Sequence, residues 1–419
     1  MINHILNLKC TICGAEYQPD EVDYVCPHHG NEGILDVQYD YDAIATRISP
    51  ETLRHNPDPT IWRYKPLLPV EPESPVPPLS VGGTPLYHTP KLAAELGLWH
   101  LWVKDDGRQP TASFKDRASA IAVVKAREKG AEVITTASTG NAAAALSGLS
   151  ASIGQKNVIF VPESAPQAKI AQLLTFGSTV MLVEGTYDDA FDLCMLAAAE
   201  YGWYNRNTGF NPYMSEGKKT AAFEICEQLN WQAPDRIFVS VGDGCIIGGI
   251  HKGLKDLLAL GWIDRMPKLM GVQAVGSDFL YQAWRNGEDV LTKKPIAAHT
   301  VADSISAGLP RDRIKAMRAV TETGGAFIRV SDGEILRAIP QLARGSGVFA
   351  EPAGAAAFAG LVAAVRDGLV AADERIVVLN TGNGLKDVAS AMKAVESIGT
   401  RAFRVAPNLE ALKEIVNAG

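Results

Sequence analysis

Four short stretches pair reactive residue types with the ends of strand-like runs. In Gln109-Pro-Thr-Ala-Ser-Phe-Lys-Asp-Arg117, Ser113 and Asp116 have the spacing of a capping box, which puts Lys115 in the first turn of a helix. A cation is disfavoured beside the positive end of a helix dipole, so this lysine is biased toward the neutral amine that condenses with an aldehyde. A solvated lysine at the start of an amphipathic helix would look the same. In Ala137-Ser138-Thr139-Gly140-Asn141, after the apolar run VIT, backbone amides, two hydroxyls and a carboxamide meet before an alanine-rich helix. Such a turn receives an anion or a carboxylate, although the same residues also make an ordinary capped turn. Val241-Gly242-Asp243-Gly244-Cys245-Ile246-Ile247-Gly248 follows IFVSV and departs from the GxGxxG dinucleotide pattern. Its glycines let successive N–H groups converge on a single phosphate monoester, and a nicotinamide-dependent dehydrogenase is disfavoured. Asn380-Thr381-Gly-Asn-Gly-Leu-Lys-Asp387 ends the run IVVLN, and the Thr381 hydroxyl, being neutral, cannot keep a pyridine nitrogen protonated.

Near the start, Cys10-Thr-Ile-Cys13 and Cys26-Pro-His28-His29 form the two knuckles of a zinc ribbon. Cys10, Cys13, Cys26 and His29 complete a tetrahedral donor set, with His29 preferred to His28 because it keeps the two-residue gap from Cys26. No further group is placed to leave an open coordination position, so a bound zinc would be structural. A ribbon that has lost its metal is the alternative.

The elements that must position these stretches are legible as alternating strand-like and helical runs. VIT (133–135), VIFV (158–161) and VMLV (180–183) each precede a helical segment, and IFVSV (237–241), LMGVQA (269–274) and IVVLN (376–380) form a second series. Repeated βα units imply parallel sheets covered by helices, with ligand chemistry at strand carboxyl ends. Two α/β lobes are expected, a small one over 105–205 and a large one over 36–104 and 206–419, behind a ribbon-like appendage over 1–35. The proline-dense segment 66–90 is expected to be an extended connector lying on the surface.

Composition narrows the function. The 419 residues carry 40 Lys+Arg against 47 Asp+Glu, a net charge of −7, the wrong sign for general binding to nucleic acid or an anionic membrane. No apolar run approaches the roughly 20 residues that cross a bilayer, and the start lacks a signal-peptide pattern, so a cytoplasmic location is expected. Three clustered and three scattered cysteines point to a metal site plus free thiols rather than disulfides.

Taken in order along the chain, CxxC…CPxH, TIWRYKPLLP (60–69), GGTPL (82–86), PTASFKDR (110–117), ASTGN (137–141), NPYMSEGKKTAAFE (211–224), SVGDG (240–244), GVQAVG (271–276), EPAGAAAFAGL (351–361) and TGNGLKD (381–387) resemble the threonine synthases within the fold type II pyridoxal-phosphate enzymes. The resemblance implies a tryptophan-synthase-β-like fold and pyridoxal 5′-phosphate bound as a Schiff base to Lys115, which then serves as general acid and base. It implies Phe114 beside the ring, Asn141 on the ring's 3′-oxygen, Gly242, Asp243, Gly244, Cys245 and Ile246 around the phosphate, and Thr381 facing the pyridine nitrogen. Ser138, Thr139 and Gly140 would receive the carboxylate of a small amino-acid substrate. A homodimer is the default assembly.

Two departures bear on the substrate. The family pattern NPYRxEGQKT carries an arginine implicated in holding the substrate phosphate, where this chain has Met214, leaving Lys218 as the nearby cation. Thr300-Val-Ala-Asp-Ser-Ile305 resembles the TIADGI stretch of threonine and serine dehydratases. Asp243 is unusual in a phosphate loop and is tolerable only if its carboxylate turns away. The expected activity is threonine synthesis from O-phosphohomoserine and water. The alternatives are a serine/threonine dehydratase or a β-replacement enzyme, such as a cysteate-synthase-like enzyme using O-phosphoserine.

Overall fold

A computed structural model describes residues 4–138, 140–163, 165 and 167–417; Thr139 lies outside them. Its strands are β1 (Ile5–Cys10), β2 (Glu16–Tyr17), β3 (Leu35–Tyr39), β4 (Leu86–His88), β5 (His100–Asp105), β6 (Val133–Ala137), β7 (Lys156–Pro162), β8 (Thr179–Val183), β9 (Tyr204–Asn205), β10 (Arg236–Ser240), β11 (Lys268–Ala274), β12 (Ala326–Val330) and β13 (Arg375–Asn380). Both series of apolar runs become parallel strands. The larger sheet has the order β12-β11-β10-β13-β5-β4, with only β4 antiparallel; the smaller, β8-β7-β6-β9, is parallel throughout. Continuous apolar sequence in β10, β11 and β13 follows from helices covering both faces, which leaves no solvent side to favour alternation.

Sheet membership changes after β5 and again after β9. β5 and β12 were not among the apolar runs read from the sequence: Lys104 interrupts the first, and the second is five residues with Arg329 in it. The proline-rich segment corrects a second expectation. Pro66 lies within a 3₁₀ helix, Ile61–Leu67, and Leu67, Leu68, Val70 and Val81 are fully buried, so the segment is plugged into the body by its apolar residues.

The ribbon, β2-β1-β3, shares its core with the body: Leu8, Cys10, Cys26, Leu35 and Val37 belong to the same apolar cluster as the Lys115 helix. Polar ties reach both lobes. Tyr39 donates to Glu216 (2.6 Å), Arg318 to the Thr11 carbonyl (2.7 Å), and the Asn205 amide to the Tyr24 hydroxyl (3.0 Å). No helix among the described residues is long and apolar enough to cross a membrane.

Candidate active site

Lys115 opens the helix Lys115–Glu128. The expected capping box is absent. Phe114 is the N-cap without a side-chain cap, the Asp116 carboxylate turns back to the Thr111 amide (2.7 Å) and hydroxyl, and the buried Ser113 hydroxyl has no partner. The chain reaches this start through Ala112 in a left-handed conformation (φ 63°), a strained state for a residue with a Cβ. That strain is held by the loop after β13: the Phe114 amide donates to the Thr381 carbonyl (2.9 Å) and the Asn383 amide to the Ala112 carbonyl (3.0 Å). Thr381, Phe114 and Lys115 are thus brought together, and Thr381 is buried.

Two residues beyond Lys115, Arg117 is wholly buried in an ionic network. Its guanidinium donates to both oxygens of Asp106 (2.6 and 2.9 Å) and both of Glu224 (2.6 and 2.8 Å), and Lys104 donates to Glu224 (2.6 Å). Bidentate pairing on two sides fixes the first turn of the helix and hence the root of Lys115. Burial lowers the proton affinity of the Lys115 amine, opposed by Cys245 and Glu351, with Arg206 adding to the lowering. The lowering favours the neutral amine, and its main cause is desolvation.

The loop after β6 leads into the helix Asn141–Ser152, and the Gly140 amide donates to the Ser138 hydroxyl (3.2 Å). Asn141 donates to Glu351 (2.6 Å) across the cleft. Burial, reinforced by Asp303, pushes the Glu351 carboxyl up to about 7. Sequence reasoning gave this residue no role; its signal was an acid immediately before an alanine-rich helix that it does not cap.

The loop after β10 turns through Gly244 (φ 91°) into the helix Cys245–Ala259, whose first amides have no side-chain cap. A Cβ on Gly242 would lie 2.7 Å from Ile305 Cα, and one on Gly244 2.6 Å from Ala316 Cβ, so only glycine closes this cradle. Asp243 turns away as its position requires, accepting from the Arg311 amide (3.2 Å). The Ser240 hydroxyl, just upstream, is buried without a partner. Uncapped amides at a buried helix start, a glycine cradle and unpartnered hydroxyls fit a phosphate monoester, and a desolvated amine opposite fits an aldehyde, so these residues suit pyridoxal phosphate.

Lys218 is fully buried, with one long bond to the Met214 carbonyl (3.4 Å), and burial lowers its amine to about 7. Met214 is also fully buried, within the apolar core. Arg206, which sequence reasoning passed over, is 1% exposed beside the cleft. Two ion pairs cross the cleft between the lobes, Lys169–Asp303 and Arg311–Asp188 (3.0 Å).

The ribbon brings its four predicted ligands together. Cys13 and Cys26 sulfurs are 3.9 Å apart, His29 Nδ1 lies 3.9 Å from Cys10 and 3.7 Å from Cys26 sulfur, and all four donors fall within 4.8 Å of one another. A tetrahedron with metal–sulfur bonds of about 2.3 Å has edges of roughly 3.8 Å, so the set fits zinc.

Parallel sheets meeting at a lysine-bearing cleft with a phosphate cradle define a pyridoxal-phosphate enzyme, and the profile of the family described as "Pyridoxal-phosphate dependent enzyme" matches residues 78–382: the chain belongs to that family. Among its relatives are proteins named threonine synthase, from Methanocaldococcus jannaschii (42% identical, covering 93% of this chain and 95% of the relative) and Methanosarcina acetivorans (40%, covering 98% of each). In solved structures the same fold occurs in a processed threonine deaminase isoform from Solanum lycopersicum, at TM-score 0.64 and 24% identity, covering 75% of this chain and 83% of that one.

Proposed function

We propose that this enzyme is a threonine synthase, converting O-phosphohomoserine and water to threonine and phosphate. The observation that carries the reading is the convergence in one cleft of the desolvated Lys115 amine, the 242–246 cradle and the Asn141–Glu351 pair, in a chain similar over nearly its whole length to proteins of that name. Pyridoxal phosphate, when bound, supplies an aldehyde for amines and a ring that takes up electrons. Gly242, Asp243, Gly244, Cys245 and Ile246 would hold its phosphate through backbone amides, Asn141 would meet its 3′-oxygen, and Thr381 and Phe114 would flank its ring. Ser138, Thr139 and Gly140 orient the substrate carboxylate. Lys115, its amine biased toward the neutral form by burial, takes protons from substrate Cα and Cβ and returns them, one amine serving as base and then as acid.

Lys218 packs against the second turn of the helix that the cradle opens, since a Cβ on Gly249 would lie 2.6 Å from its own Cβ, and Cys245 at the helix start is its foremost charge partner. This supports pairing Lys218 with the cofactor phosphate, a different role from the substrate-facing one expected from the sequence.

Met214 favours one second reading. An apolar, buried side chain at the position of the family arginine fits a differently shaped phosphorylated substrate, such as O-phosphoserine in a β-replacement, or an unphosphorylated amino acid in a dehydration. A substrate panel decides: phosphate and threonine from O-phosphohomoserine support the first reading, phosphate from O-phosphoserine alone supports β-replacement, and 2-oxoacid from threonine or serine alone supports a dehydratase.

The reading includes one structural zinc on Cys10, Cys13, Cys26 and His29, and lobes divided at 105 and 205, where the chain changes sheets. It also includes a homodimer, supported by exposed Leu182, Leu193 and Leu196 on the small lobe, and a cytoplasmic location, which six cysteines outside any disulfide fit.

A further inference from the structure

Arg206 follows β9 at the carboxyl end of the small sheet, its amide donating to the Thr135 carbonyl (2.9 Å) of β6. This is the same sheet end as Ser138, which follows β6. Its guanidinium Nε donates to the Ser119 hydroxyl (3.1 Å) and Nη1 to the Thr208 hydroxyl (2.9 Å), while Nη2 is buried without a partner. Ser119 lies one turn along the helix from Lys115, on the same face, and the Arg206 charge is felt by the Lys115 amine.

Arg206 makes no ion pair among the described residues, and neither does Lys218. Burial alone accounts for most of the lowering of the Arg206 pKa, to about 10. A desolvated guanidinium held only by two hydroxyls is costly unless an anion meets it. Two anions suit two cations. Lys218 packs against the helix that the cradle opens; Arg206 follows β9 at the sheet end that carries the carboxylate loop, with Nη2 unspent.

We propose that Arg206 is the specificity-determining residue that binds the side-chain phosphate of the substrate, in place of a cation at position 214. This rests on the reading that the enzyme acts on phosphorylated amino acids. The subsite would accept a small α-amino acid whose side chain ends in a phosphate monoester, its carboxylate on 138–140 and its phosphate on Nη2.

The test uses the cofactor-loaded enzyme. Arg206→Gln should raise KM for O-phosphohomoserine or O-phosphoserine at least tenfold while leaving cofactor stoichiometry and visible absorption unchanged. It should also weaken binding of inorganic phosphate, followed by titration calorimetry, at least tenfold. Arg206→Lys, which keeps the charge but not the planar fork, should fall between the two and guards against a folding defect in the glutamine variant. A wild type active on phosphorylated substrates, with KM and phosphate affinity within twofold in Arg206→Gln, overturns the assignment and leaves the proposed activity standing. A wild type inert to every phosphorylated amino acid removes the proposed activity; Arg206 is then judged on phosphate affinity, its loss in Arg206→Gln supporting an anion subsite and its retention overturning one.

Discussion

Lys115 and Glu351 show how burial, more than local sequence, sets the chemistry of single residues. Lys115→Ala is expected to remove turnover and the visible absorption of the bound cofactor while leaving the melting curve intact, because an amine is lost and no core volume. Lys115→Arg is expected to fail equally, since a guanidinium stays protonated; activity in either variant would refute the assignment. For Glu351 the folded-state pKa of about 7 lies above the ordinary carboxylate value, so the native protein holds a proton that the unfolded chain releases. Its stabilising contribution is therefore complete below about pH 4 and lost as pH rises through 7, a change on the order of 3 kcal/mol. Urea denaturation of cofactor-free protein from pH 5 to 8 should show a decline that is reduced in Glu351→Gln. Parallel curves for the two proteins would remove Glu351 as the source.

The first turn of the Lys115 helix owes its placement to partners far away in sequence. Asp106 and Glu224 close on Arg117 from opposite sides, and the loop after β13 grips Ala112 and Phe114. The capping box that sequence spacing indicated was outcompeted, because Thr111 offers the Asp116 carboxylate both an amide and a hydroxyl. Arg117→Met should leave buried Glu224 paired only with Lys104 and buried Asp106 with no ion pair among the described residues, at a cost of about 3–5 kcal/mol. Chemical denaturation should record that loss, and activity should fall with it as the root of Lys115 loosens. A stability change below about 1 kcal/mol would mean that the network is not what holds the helix start.

The whole molecule is tied together at the ribbon, which touches the large lobe through Tyr39 and Arg318 and the small lobe through Tyr24, next to Arg206. Metal analysis should find close to one zinc per chain. Cys10→Ser should release it, loosen residues 1–35 and lower stability by a few kcal/mol, because metal affinity is folding free energy for such a site. The Tyr24 contact makes the cleft sensitive as well, so KM for the substrate should rise. Full metal content in that variant, or a metal-free wild type with an ordered ribbon, would refute the assigned ligand set.

Residues 110–117, 137–141, 241–248 and 380–387 were legible as chemistry in the chain itself because each combines a strand end, a turn and reactive side chains within a few residues. Cys10, Cys13, Cys26 and His29 were legible for the same reason: a donor set is a local spacing. The alternation of apolar runs and helices likewise implied parallel sheets, since a strand buried on both faces must be apolar throughout. Tertiary structure alone decided the rest. It placed Glu351 opposite Asn141, assembled Arg117 with Asp106 and Glu224, drew the connector's leucines into the core, and left Arg206 and Lys218 buried without carboxylates. Those features depend on which residues meet beyond the reach of one local motif and on how much water is expelled where they meet, and neither quantity is written in the spacing of neighbours.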